Sequence, residues 1–186
     1  MTIAIFKQFA AYNRWANAHL YAAALALPDE DYRRPIGVFF QSLRGTLNHL
    51  LATDRLWLHR LTGEGDVPTR LDAIIHDDRY ELARARARED QRLILVVDGY
   101  SDGDLDSAHA YLTMSGQPQE QPITDILQHL FNHQAHHRGQ AHACCSILTG
   151  TEPPSLDLLA FQRGTPAPSI SDNCPLSAAP QKTSNG

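Results

Sequence analysis

Apolar positions fall at helical spacing in four long stretches of this chain. From Thr2 to Leu27, the residues Phe6, Phe9, Asn13, Ala16, Leu20, Ala24 and Leu27 follow an i, i+3, i+4 rhythm, and Pro28 stops the run. Asn13 sits inside that stripe, so its amide needs partners within the fold, either to fix helix register or to serve a site. Ser42 is placed as the N-cap of a second helix that runs to about Thr62, before Gly63 and Gly65. Its inner face carries Leu43, Leu47, Leu50, Trp57 and Leu61. A third helix covers Asp78 to Val97, with Leu82, Ala85, Leu93 and Val96/Val97 inward. Its ARARAR run reads as a solvated face. Glu89 lies near the inward stripe and either bonds a metal-bound ring or pairs with an arginine of a neighbouring helix. The fourth stretch, Ile123 to Gly150, is the longest.

The intervening segments have other patterns. Asp29 to Phe40 carries charges, a proline and a glycine with no sustained period, and reads as a connector. Gly63 to Asp77 is a long loop, which makes a crossover between the second and third helices. Ala108 to Pro122 has no helical period, and Ser115-Gly116 suggests the turn of a small hairpin leading into the fourth helix. Beyond Gly150 comes a proline-broken connector with a short apolar turn that folds back over the bundle. The expected architecture is all-α: a four-helix bundle over residues 1–163, then a loose tail over 164–186 rich in Pro, Ser and Ala.

Composition narrows the function classes. The 186 residues suit one domain with a real core, and 42% apolar and 20% charged residues are ordinary for a globular protein. A net charge of −5 gives no nucleic-acid footprint. No apolar run reaches the roughly 20 residues of a membrane span, and the N-terminus lacks the flank and cleavage site of a signal peptide. These features point to a cytoplasmic protein. Three cysteines, with Cys144 and Cys145 adjacent, form no disulfide framework and read as small core residues.

The chemistry is concentrated in the fourth helix, which carries His129, His133, His136, His137 and His142. Residues four apart sit roughly 40° from each other on a helix. His133 and His137 are such a pair, and they align with Ile126, Leu130, Ala141, Cys144 and Leu148. Two imidazoles on an apolar stripe need polar partners: carbonyls, carboxylates or a shared metal ion. His129 and His136 lie to one side, and His142 lies opposite, toward water. On the second helix His49 is at the margin of the stripe and His59 is outside it. His49 is therefore the candidate third ligand.

Several metal chemistries are excluded or weakened. No E-x-x-H occurs, as ferritin-like di-iron bundles require, and Gln134 stands where a zincin would place its glutamate base. Neither a glycine-rich phosphate loop after a strand nor a G-x-S-x-G elbow is present. Arg138 points away from the histidine stripe and reads as a surface or interhelix ion pair.

The string HQAHHRGQ (His133 to Gln140), with NHLLATD (Asn48 to Asp54) and YNRWAN (Tyr12 to Asn17), resembles the DinB family of damage-inducible bacterial four-helix-bundle proteins, which is distinct from the DNA polymerase of that name. The resemblance implies a bundle like those of thiol-dependent S-transferases and maleylpyruvate isomerases. It implies a divalent metal held by three histidines, here His49, His133 and His137, and a homodimer. Zinc, nickel and iron all suit three imidazoles. Three protein ligands leave an open coordination place, the mark of catalytic rather than structural sites. The reading is a divalent-metal-binding protein, a metal-dependent transferase acting on a small thiol and an electrophile; a hydrolase and a non-catalytic metal-binding stress-response bundle remain the alternatives. The expected partners are a small-molecule substrate, with a low-molecular-weight thiol as candidate, and a second copy of the chain, with neither nucleic acid nor membrane.

Overall fold

The computed structural model describes residues 2–168. Of the tail expected from residue 164 onward, 169–186 lie outside the described residues, and Cys174 with them. The helical elements are α1 (Ile3–Ala26), α2 (Asp29–Arg33), α3 (Leu43–Thr62), α4 (Arg79–Asp98), α5 (Ile123–Thr149) and α6 (Leu158–Gln162). A two-stranded antiparallel hairpin, β1 (Ala108–Leu112) and β2 (Pro118–Pro122), precedes α5. The four long helices are those the apolar rhythm predicts, each within a residue or two at its ends.

Local chemistry sets the boundaries. Ser42 Oγ accepts the Gly45 amide at 3.2 Å, capping α3. Asp78 accepts the amides of Tyr80 and Glu81 at 2.9 and 2.8 Å, capping α4. Gly63 and Gly150 end α3 and α5 with φ of 73° and 67°, a left-handed conformation that costs glycine little. The connector after Pro28 differs from expectation: it holds the short α2, whose Tyr32 is wholly buried beneath α3.

In the bundle α1 packs on α4 and α5, and α3 packs on the same two helices, so α1 and α3 are diagonal. The core has two layers. One gathers Leu20, Tyr21, Tyr32, Leu43, Leu47, Leu50, Leu82 and Ala141. The other gathers Phe6, Trp57, Leu58, Leu93, Val97, Ile126 and Leu130. Cys144 and Cys145 are buried and unpaired, as small core residues should be. The hairpin leans on the C-terminal half of α3: Trp57 and Tyr111 meet at 5.2 Å, and Arg60 lies over both rings. After α5 the chain returns across α1, where Tyr12 Oη donates to the Leu156 carbonyl at 2.6 Å and Trp15 Nε1 to that of Thr165 at 2.8 Å. Among the described residues, no helix is long and apolar enough to cross a membrane.

Between the two layers lies a buried polar network. Arg86 ion-pairs with Asp54 at 2.8 Å and Asp90 at 3.0 Å. Asn13 and Asn17 donate to Asp90 at 3.1 and 2.9 Å, Gln134 donates to Asp54, and Arg138 donates to Asn13. Burial, partly offset by Arg86, pushes the Asp54 carboxyl up to about 6. Two expectations are corrected here. Arg86 belongs to the ARARAR run but is 2% exposed, whereas Arg84 and Arg88 face solvent. Arg138 is 3% exposed rather than on the surface. Both positions continue a buried i, i+4 row, Leu82-Arg86-Asp90 and Gln134-Arg138, so helix geometry carries these charges inside. Glu89 pairs with Arg92 at 2.8 Å and with Arg55 of α3 at 3.6 Å, the arginine alternative of the two considered.

Candidate metal centre

Helices α3 and α5 bring His49, His133 and His137 together, one donor atom of each within 4.8 Å of the others. The i, i+4 pair stacks along α5 with ring centroids 4.3 Å apart, and the His49 ring lies 5.1 and 4.5 Å from them. His49 is buried, although its own stripe puts it at the margin; the two α5 rings are half-buried, less sunk than the apolar row suggests.

On His49 and His137 the second ring nitrogen is held by an acceptor, whereas His133 Nδ1 is buried without a partner among the described residues. His49 Nδ1 donates to the Leu71 carbonyl at 2.8 Å, so the neutral ring presents a bare Nε2. His137 Nδ1 donates to Gln140 Oε1 at 2.8 Å, which exposes its Nε2 likewise. Gln140 is itself held, its amide nitrogen donating to His136 Nε2 at 3.1 Å. Ligating histidines commonly give their second ring N–H to such an acceptor, which fixes tautomer and ring direction. The Nε2 atoms of His49 and His133 lie 3.2 Å apart. Two nitrogens at about 2.0–2.1 Å from a tetrahedral ion would be about 3.3 Å apart. The donor chemistry and the spacing both fit a divalent cation.

Electrostatics favours neutral rings. Burial lowers the pKa of all three histidines. For His133 the neighbouring rings add to burial and take it to about 3. Neutral imidazole is the form that binds metal.

Two loops complete the site. The long loop between α3 and α4 supplies Leu71 and is clamped by Asn48, whose Oδ1 accepts the amides of Ile75 and His76 at 2.8 and 2.9 Å. Its Nδ2 donates to the carbonyls of His76 and Arg44 at 3.1 and 2.9 Å. The turn before α3 lays Phe40 flat on His49, centroids 3.9 Å apart, and edge-on to His137 at 5.6 Å. Gly45 permits this approach, since a Cβ there would lie 2.0 Å from the Phe40 carbonyl oxygen.

The other histidines add no donor to the cluster, although the His136 ring lies 4.7 Å from His137 and that of His129 5.9 Å from His133. His129 is exposed and packs on Trp57 at 5.1 Å. His136 is exposed and supports Gln140. His142 is half-buried rather than wet and bonds the Pro154 carbonyl at 3.0 Å. His59 Nδ1 bonds the carbonyls of Glu64 and Gly65, both at 3.2 Å. Of the residues that position the rings, Asn48 and Gln140 lie within the NHLLATD and HQAHHRGQ strings, whereas Leu71 and Phe40 carry no sequence signal of this role.

Fold and site together define a helical bundle with a three-histidine cluster between two of its long helices. The DinB family model matches residues 1–173, and the chain belongs to that family. Protein DinB of Bacillus subtilis (strain 168) is 24% identical over 148 residues, covering 71% of this chain and 79% of that one. The crystal structure of a DinB-like protein from Bacillus cereus ATCC 10987 superimposes with a TM-score of 0.62 over 83% of this chain and 97% of that one, at 21% identity. This second likeness is one of fold.

Proposed function

We propose that His49, His133 and His137 hold a divalent metal ion and that the protein is a metal-dependent transferase joining a small thiol to an electrophile. The observation that carries the reading is the bare Nε2 on His49 and on His137, each fixed by a hydrogen bond at Nδ1. An ion held by three imidazoles would supply Lewis acidity at an open place, lowering the pKa of a bound thiol or water. The chain's own contribution is to keep the rings neutral and aimed inward and, through Phe40, to wall one side of the cluster against water. His49 is shielded more than its partners, so substrate reaches the centre from the half-exposed α5 side. Cytoplasmic location and a homodimer belong to the same reading.

The test measures metal content in tag-free protein, then metal-dependent consumption of N-acetylcysteine with 1-chloro-2,4-dinitrobenzene. Bound metal, turnover that chelator abolishes, and loss of both in the triple alanine variant of His49, His133 and His137 support the proposal. Unchanged metal content in that variant overturns the ligand set. Metal binding with a large rise in melting temperature and no turnover overturns the enzyme and leaves the non-catalytic bundle.

A further inference from the structure

Arg138 follows His137 in sequence and so points about 100° round α5 from it, away from the histidine cluster. It lies in the groove between α1 and α5. Two adjoining cavities of about 330 and 360 Å³ open there, and both are lined by Tyr12, Ala135 and Arg138. The first is otherwise walled by Phe6, Phe9, Phe131 and Ile5, with Gln128 and Asn132 as its further polar residues. The second has the exposed Glu152 on its rim.

Arg138, at this junction, is 3% exposed as a residue. Its contacts are polar or aromatic rather than anionic: it donates to Asn13 Oδ1 and lies 5.1 Å from the centroid of the Tyr12 ring. Tyr12 in turn gives its hydroxyl proton to the Leu156 carbonyl. Among the described residues no carboxylate ion-pairs with Arg138; Asp54 and Asp90 spend their direct pairing on Arg86 and act on Arg138 through space. A buried cation of this kind is stabilised by an anion that can reach it.

We infer that the α1–α5 groove binds a small organic carboxylate with an apolar tail, its head on Arg138 and its tail among Phe6, Phe9 and Phe131. Charge complementarity selects the head. The aromatic wall selects the tail and places it in the first cavity; in the second, the carboxylate head would be repelled by Glu152. A cavity of this size suits a chain of roughly eight carbons or one aromatic ring, within the usual range for small-molecule sites. The inference is independent of the metal reading, since the two sites use different faces of α5.

Octanoate, octan-1-ol and octylammonium are titrated calorimetrically into full-length, chelator-treated protein and into the triple histidine variant, which separates this site from any carboxylate taken up by a metal. The expected result is octanoate binding in both proteins, about 10- to 100-fold tighter than the alcohol, the gain of a charge-assisted hydrogen bond, with no binding of the ammonium. Arg138→Gln should remove that preference. Should that variant fail to fold, Ala135→Trp, at an exposed position lining both cavities, should lower octanoate affinity by about tenfold or more. Equal affinity for acid and alcohol, undiminished binding in folded variants, or no octanoate binding overturns the inference.

Discussion

The side-chain amide of Asn48 pairs with the backbone of His76 in both directions, accepting its N–H at 2.9 Å and donating to its carbonyl at 3.1 Å. This closure pins the long crossover loop beside His49, and the same loop presents the Leu71 carbonyl to the His49 ring. Asn48 thus holds in place a loop that meets the cluster through Leu71.

Removing the clamp should therefore weaken metal binding without deleting a ligand. Asn48→Ala is expected to lower affinity by about 10- to 100-fold, as for other groups that orient ligating histidines. Competition against a chromogenic chelator measures it. Affinity equal to wild type would show that the loop holds its place without Asn48.

The metal-free protein should lose stability on mild acidification. His133 titrates near 3 when folded and near 6.5 when unfolded. Between these values the unfolded chain binds more protons, so stability rises with pH across the window and is lost as pH falls through it. His49 and His137 are shifted in the same direction. Replacing His133 by glutamine removes its titration. Urea unfolding in chelator between pH 7 and about 4 should then fall less steeply for the variant than for wild type; parallel curves would remove His133 from the account.

The buried ion pair allows a sharper test by single and double substitution. Arg86→Met leaves Asp54 and Asp90 without their cation and should cost about 3–5 kcal/mol. Adding Asp54→Asn removes one stranded charge, so the double variant should be less destabilised than the two single losses added together. Denaturant unfolding at neutral pH gives all three values. Strict additivity would mean that the 2.8 Å approach carries no coupling.

Gly45→Ala should be destabilising despite the better helix propensity of alanine. The new methyl would meet the Phe40 carbonyl oxygen, and overpacking of this sort costs about 1–3 kcal/mol. The same shift should lift Phe40 from His49, changing the ring-current shifts of the imidazole protons in an NMR spectrum. A stable variant with unmoved resonances would show that the turn yields without strain.

Much of this was legible in the sequence because the helix is a local structure. Apolar rows, Pro28, Ser42, Asp78 and the glycines after α3 and α5 mark the bundle within a residue or two. The α5 pair His133/His137 follows from spacing alone. His49 does not: its wheel position is marginal, and its burial comes from the Phe40 turn and the crossover loop, which are long-range contacts. Arg86 and Arg138 are buried where their charge alone suggests a surface position. Their place in an i, i+4 row with Asp90 and Gln134 was the available signal, but partners such as Asp54 and Asn13 sit 32 and 125 residues away, where no periodicity reaches.

The three imidazoles stand on two rigid helices, whereas Leu71 and Phe40, which steady and screen them, come from loops. Loops accept insertion and exchange more readily than packed helices. A fixed donor set with exchangeable surroundings lets a few connecting residues reset how the rings are held and screened, leaving the helical interior untouched.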